Sequence, residues 1–291
     1  MGSATVYLLA LTANLFFSSA SMVFSIYSRR FSPAWINQFK IAVALFCFVI
    51  AAVTIGFTPI SPSAIGILIL SGVVGLCIGD MLLFKAFTTL GAARSLLLFS
   101  FQPLLLGIYG WFFLGQGISV GQLSAVGCMV ACLLVFVLER NRQIGQWDFR
   151  SFSWAFAGIF LDAVGVMLTR SAYEMTPEIG SMQVNVIRTL GALAAFILIN
   201  PKSYLGIWKD FRVMRKREKS MLIMACVCGT FVSLSLYLTA LKYAHVASLT
   251  AVAITGPVWV SILECLWERK LPNRYLSIAF LFFLAGFYLM T

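Results

Sequence analysis

Long apolar stretches separated by short polar loops make up almost the whole chain. With about 20 apolar residues per membrane crossing, the pattern predicts ten helices, at 5–27, 33–56, 63–87, 92–115, 119–138, 153–174, 179–199, 219–242, 247–268 and 272–290. Pro33, Pro62 and Pro272 stand where helices are predicted to begin, the position at which a missing backbone N–H costs least. We therefore expect an all-α, polytopic membrane protein.

Composition excludes most other classes. Of 291 residues, 61% are hydrophobic and 11% are charged, whereas a soluble domain has about 25% charged residues. The single histidine, His245, and seven scattered cysteines form no CxxC or Cys/His cluster, so we expect no metal and no cofactor. The chain has no HExxH or GxGD motif, and we expect no enzymatic activity. The net charge is +11. In a membrane protein such an excess usually comes from basic residues in cytoplasmic loops, so it does not by itself indicate nucleic-acid binding.

The positions of the basic residues predict an orientation. Ten helices place both termini on one face, and seventeen of the 21 cations fall on the other face: Arg29, Arg30, Lys85, Arg94, Arg140, Arg142, Arg150, Lys202, Lys209, Arg212, Arg215, Lys216, Arg217, Lys219, Arg269, Lys270 and Arg274. By the positive-inside rule, we expect both termini to be extracytoplasmic in a cytoplasmic (inner) membrane. The longest loop, near 200–218, alternates apolar and basic residues, and we expect it to lie on the lipid headgroups.

The chain carries a weak internal repeat. A shift of 148 residues places Asn14 on Asp162, Asn37 on Asn185 and Lys40 on Arg188, and a shift of 154 residues places Gly75 on Gly229 and Pro103 on Pro257. The repeats would be 1–150 and 151–291, with five helices each. Since five is odd, the second repeat enters the membrane from the opposite side, a plan typical of alternating-access transporters.

These residues give the chain a family resemblance. It resembles the drug/metabolite transporter superfamily in its ten-helix EamA-type branch, through Lys40, Arg188, the prolines of FSFQP and AITGP, and the endings FFLGQGIS and CLWERKLP. The resemblance implies a transporter of amino acids or related metabolites, more commonly an exporter. Gln116 stands where the family often has Glu, and relatives commonly keep both termini in the cytoplasm, whereas the cation count here places them outside.

Ionisable residues inside a bilayer cost several kcal/mol unless they are paired or hydrated. Asp162 and Arg188 fall near the membrane midplane on consecutive helices, and we expect either a structural ion pair or contacts with a solute or a coupling proton. Lys40 and Asp80 form a second candidate set, unless Lys40 extends to the headgroups. Glu264 is a candidate gate or a solvated rim residue.

Uncharged residues extend the candidate site. Amides within spans either bond neighbouring helices or line a cavity, and aromatic side chains either line an apolar pocket or face lipid. The candidates for solute binding are Asn14, Asn37, Lys40, Asp80, Phe84, Gln102, Trp111, Asp162, Asn185, Arg188, Tyr237 and Trp259, and those for gating or coupling are Asp80, Asp162, Pro103, Pro257 and Glu264. The stripe Gly72, Gly75 and Gly79 predicts close helix packing.

The sequence thus predicts a secondary transporter of a small polar or amphipathic metabolite, working by alternating access around a central cavity. Its partners would be the solute and the lipid bilayer, with protons as an open choice of coupling ion, and the chain would be a monomer or a homodimer. The alternative is a flippase for a lipid or a lipid-linked metabolite with the same fold.

Overall fold

The computed structural model of the protein describes residues 3–102, 149–199, 201–243, 256–269 and 273–290, with isolated positions between 105 and 142. Its helices are α1 (Ser3–Arg30), α2 (Pro33–Ile55), α3 (Pro62–Leu90), α4 (Ala92–Leu97), α5 (Phe149–Met175), α6 (Ser181–Ile199), α7 (Pro201–Val213), α8 (Lys216–Tyr243), α9 (Gly256–Glu268) and α10 (Arg274–Met290). Within these ranges there is no strand, and α1, α2, α3, α5, α6 and α8 are long and apolar enough to cross a membrane. The all-α prediction is confirmed, while the predicted helix at 119–138 falls largely outside the described residues.

The starts of α2 and α3 follow from their sequences. The Ser32 hydroxyl accepts a hydrogen bond from the Trp35 backbone N–H at 3.0 Å, directly before Pro33. Ser61 accepts in the same way from the Ala64 N–H, at 3.3 Å. Each serine supplies a partner for an N–H group that the first helical turn leaves unpaired, and the proline that follows has no N–H to satisfy.

Contacts between helix ends fix the direction of α3 and α8. Arg30, at the end of α1, forms a 2.6 Å ion pair with Glu218, at the start of α8. Arg29 donates a 3.5 Å hydrogen bond to the carbonyl of Phe87, near the end of α3. Helix α3 therefore ends on the side of the bundle where α8 begins, so these repeat-equivalent helices run in opposite directions.

The first two helices of each repeat show the same inversion. The Thr58 N–H, just after α2, donates to Gln183 near the start of α6 at 2.9 Å, so α2 ends where α6 begins. Arg170, near the end of α5, donates to the carbonyl of Leu241 near the end of α8 at 2.7 Å. Since α8 begins beside the end of α1, α5 ends on the opposite side from α1. The first three helices of the two repeats are thus related by inversion.

A π-helical segment interrupts α3 and another interrupts α8. The first covers Gly72–Gly79 and the second covers Val227–Val232. The repeat shift of 154 residues maps 72–79 onto 226–233, so the two segments coincide. Such segments leave some backbone groups without their usual α-helical partners and are frequent at functional sites.

Small residues bring α3 and α5 into backbone contact. A Cβ atom built on Gly158 would lie 2.9 Å from the Gly79 carbonyl oxygen, and one built on Gly165 would lie 3.0 Å from the Gly75 Cα. The predicted close packing at the Gly72, Gly75 and Gly79 stripe is therefore confirmed. It brings Asp162, which lies between Gly158 and Gly165 on α5, against the π segment of α3.

The predicted interfacial segment forms the separate helix α7. The Trp35 indole N–H donates to the Asp210 carboxylate at 3.1 Å, and the Phe39 ring lies 5.9 Å from the Trp208 ring and 4.9 Å from the Phe211 ring. These contacts hold α7 against the first turns of α2, while Arg212 and Val213 stay exposed.

We expect Gly158→Ala to lower the stability of the protein by about 1–3 kcal/mol, because its Cβ would meet α3 backbone atoms that cannot move independently. The measurement is thermal or chemical unfolding in detergent. Gly66→Ala in α3 is the matched control, since its Cβ would meet nothing within 4 Å. Equal stability of the two variants would contradict the close α3–α5 contact.

Candidate functional site

A cavity of about 100 Å³ lies in the interior of the helix bundle. It is lined by Ala13, Asn14, Phe17, Ser18, Lys40, Leu76, Asp80, Leu96, Gln102, Asp162, Val166, Arg188, Gly229, Thr230, Ser233, Leu234, Tyr237 and Gly256. A space of this size holds several water molecules or part of a small solute. Apolar walls with a few polar groups are typical of small-molecule sites, and both repeats contribute to this one.

Lys40 and Asp80 form an ion pair on the cavity wall. The Lys40 Nζ lies 2.5 Å from Asp80 Oδ2, and the two side chains are only 4% and 11% exposed. The ammonium also lies 4.8 Å from the centre of the Phe84 ring, over its face. Lys40 is therefore not extended toward the headgroups, and its charge is neutralised inside the protein.

Of the two expectations for Asp162 and Arg188, the direct ion pair is not formed in this structure. Asp162 Oδ2 instead accepts a 2.8 Å hydrogen bond from the Gln102 amide, and Arg188 Nε donates to the Ser71 hydroxyl at 2.9 Å. Both side chains line the cavity, so they share the site without touching. The physical reason is that each has a nearer neutral partner on another helix.

The Arg188 side chain is the largest fully buried one among the described residues, at 1% exposure. Its Nη1 has no hydrogen-bond partner in the part of the chain that the structure describes. A Cβ built on Gly75 would lie 3.8 Å from Arg188 Nη2 and 3.9 Å from the Asp162 Cα. The guanidinium and the α5 backbone at Asp162 thus both lie near Gly75, whose missing side chain leaves room for them.

Hydroxyl groups that the sequence analysis did not single out complete the site. Ser18 in α1 donates to the Gly256 carbonyl at the start of α9 at 2.9 Å, and Ser233 in α8 donates to the Ala13 carbonyl in α1 at 2.9 Å. Both serines line the cavity. The only sequence signal for them was a polar side chain within an apolar span, a signal shared by many serines of this chain.

The remaining predicted residues lie elsewhere. Asn37 and Asn185 are fully buried but are not among the cavity-lining residues, and Phe84 packs in a core between α1, α2 and α3. Trp259 is 39% exposed on the same face of α9 as Ile262 and Leu266 and is not among the cavity-lining residues. Pro103 and Trp111, and the side chains of Pro257 and Glu264, lie outside the described residues.

Comparison with known proteins decides the family. The model of the EamA-like transporter family matches residues 4–138 and again residues 149–291. The chain belongs to the EamA-like transporter family. This EamA-like protein is therefore a multi-pass membrane transporter of the drug/metabolite type, with one family unit in each half.

A solved structure, titled only "Crystal structure of protein", has the same fold. It matches this EamA-like chain with a TM-score of 0.69 and 15% identity, over 100% of this chain and 97% of the other. No curated protein matches the sequence. Within the described residues, no group of three or more His, Cys, Asp or Glu side chains could hold a metal ion.

We expect Lys40→Met or Asp80→Asn alone to cost about 3–5 kcal/mol of stability, since each leaves an unpaired buried partner. The double variant should recover much of that loss. The exposed Arg30–Glu218 pair is the matched control. It has a similar distance of 2.6 Å, with side chains 51% and 26% exposed, so its coupling should be much smaller because solvent screens it. A double-mutant cycle of unfolding in detergent measures both, and equal coupling in the two pairs would contradict the neutralisation of Lys40 by Asp80.

Proposed function

We propose that this protein is a secondary transporter that exports a small polar or amphipathic metabolite, an amino acid or a related compound, by alternating access between its two repeats. The central cavity supports this proposal because it combines two cations, two carboxylates and apolar walls drawn from both repeats. The solute would occupy the cavity, and Asp80 and Asp162 would be the groups available for proton coupling.

One observation carries the mechanism: equivalent amides of the two repeats make different contacts. The Asn37 amide in α2 donates to the carbonyls of Leu76 and Cys77, in the π segment of α3, at 2.8 and 3.1 Å. Its equivalent, Asn185 in α6, is fully buried, and neither of its side-chain polar atoms has a partner among the described residues.

The repeat shifts identify the missing partners. The equivalents of Leu76 and Cys77 are Thr230 and Phe231, in the π segment of α8. In alternating access by inverted repeats, each repeat adopts the conformation of the other when the transporter opens to the opposite side. Asn185 would then bond the Thr230 and Phe231 carbonyls, while Asn37 would release its own.

The transport proposal is tested with purified protein in proteoliposomes. We expect at least one member of a metabolite library rich in amino acids to exchange across the membrane and to stabilise the protein thermally, by about 2.7 kcal/mol at 100 times its dissociation constant. Protein-free liposomes are the control. Absence of exchange for every library member would refute the proposal.

We also propose that both termini are extracytoplasmic in the inner membrane. Arg29, Arg30, Lys216 and Lys219 lie on the side where α1 ends and α8 begins, and the positive-inside rule places that side in the cytoplasm. A C-terminal alkaline phosphatase fusion should be active, and a C-terminal GFP fusion should not fluoresce. The reverse pattern would overturn the orientation.

We expect Asn37→Ala and Asn185→Ala to shift the conformational equilibrium in opposite directions, each by roughly five- to tenfold, since each removes hydrogen bonds from one state only. The readout is the rate at which a membrane-impermeant thiol reagent labels Ala13→Cys, from each side of the membrane, in a background without the native cysteines. Thr54→Ala, which changes a bond within one turn of α2, is the control. A shift in the same direction for both variants would contradict the exchange of amide contacts.

A further inference from the structure

The Arg188 guanidinium has more donors than the protein uses. Guanidinium carries five N–H donors and no acceptor. Its Nε bonds Ser71 at 2.9 Å, whereas its Nη1 has no partner within the described part of the chain. Arg188 is 1% exposed and lines the cavity. A buried cation with an unpartnered donor beside a cavity is suited to bind an acceptor group of a solute.

The protein's own carboxylates in the cavity are engaged with other groups. Asp80 pairs with Lys40 at 2.5 Å, and Asp162 accepts from Gln102 at 2.8 Å. A carboxylate on a solute is therefore a suitable further acceptor for Arg188. A planar guanidinium matches the two oxygens of a carboxylate, which it can bind through two parallel hydrogen bonds.

Ser71 fixes the direction of the guanidinium. Its hydroxyl donates to the Gly165 carbonyl of α5 at 2.7 Å and lies 2.8 Å from the Thr169 hydroxyl. Its proton is thereby committed to α5, which leaves a lone pair for Arg188 Nε. With Nε held in this way, Nη2 lies 3.8 Å from the position that a Gly75 Cβ would take, and the side chain lines the cavity.

We propose that the transported solute carries a carboxylate that binds to Arg188, and that Ser71 is the positioning residue that holds the Arg188 side chain for this contact. This inference rests on the proposed transport function and adds to it the chemical group that the site selects.

The first test uses the wild-type protein and matched compounds that differ in one group. Leucine and 4-methylpentanoate keep the carboxylate, while 3-methylbutylamine lacks it; phenylalanine, 3-phenylpropanoate and phenethylamine form a second set. In at least one set, we expect the carboxylate-bearing compounds to bind about tenfold more tightly than the amine, as measured by thermal stabilisation. The difference corresponds to the loss of one charged hydrogen bond. Amines that bind as well as the acids, or acids that do not stabilise the protein at all, would overturn the inference.

The second test concerns Ser71. For a carried carboxylate solute, Ser71→Ala should raise KM about tenfold with little change in maximal rate, and the preference over the matched amine should fall. Ser21→Ala is the control, because Ser21 is also fully buried but bonds only to its own helix, at the Phe17 carbonyl. Arg188→Lys, which keeps the charge without the planar fork, should lose the same preference.

The outcomes separate this inference from the proposed function. If the library yields an exchanged amine and no exchanged acid, transport stands and the carboxylate assignment fails. An equal change in acid and amine KM in Ser71→Ala would make Ser71 a structural residue only. If acids stabilise the protein but no library member is exchanged, carboxylate binding stands and the transport proposal fails.

Discussion

A charged side chain inside a membrane protein must find its neutralising partner within the protein, and the Lys40–Asp80 pair meets this constraint at the centre of the fold. The pair ties α2 to α3 directly after the π segment of α3. Phe84, one turn beyond Asp80, covers the ammonium with its ring. Because Lys40 and Asp80 neutralise each other, Arg188 is the cation of the cavity that has no carboxylate partner among the described residues. The polarity of the cavity then depends on the contacts of Arg188, Asp162 and Gln102.

The two repeats share one plan but not one set of contacts. Lys40 and Arg188 are equivalent in sequence, yet the first meets a carboxylate and the second meets a hydroxyl. Asn37 and Asn185 differ in the same way. Such differences between equivalent side chains are what the alternating access proposed above would produce, since a second state would exchange the contacts of the two halves.

Much of the fold could be predicted because the bilayer leaves few choices. Apolar stretches, the starts of α2 and α3 at Pro33 and Pro62, and the glycine stripe all correspond to observed features. The side-chain partners were harder to predict. Asp162 and Arg188 lie on consecutive helices, but sequence order does not reveal which helix faces meet. Asp162 instead bonds to Gln102, and Arg188 bonds to Ser71. The π segments have no compositional signal, and Ser71 resembles many other serines of the chain.

Helix α7 has a consequence for how the two halves diverged. The sequence offset between the repeats grows from 148 to 154 residues between the second and third helix of each half, and α7 occupies that connection in the second half. Because Asp210 and two aromatic rings fasten it to α2, the extra length forms an ordered structure outside the apolar spans. A duplicated gene could thus acquire this insertion without altering the register of α6 or α8, and the polar positions of the two copies stayed aligned while the loops between them drifted.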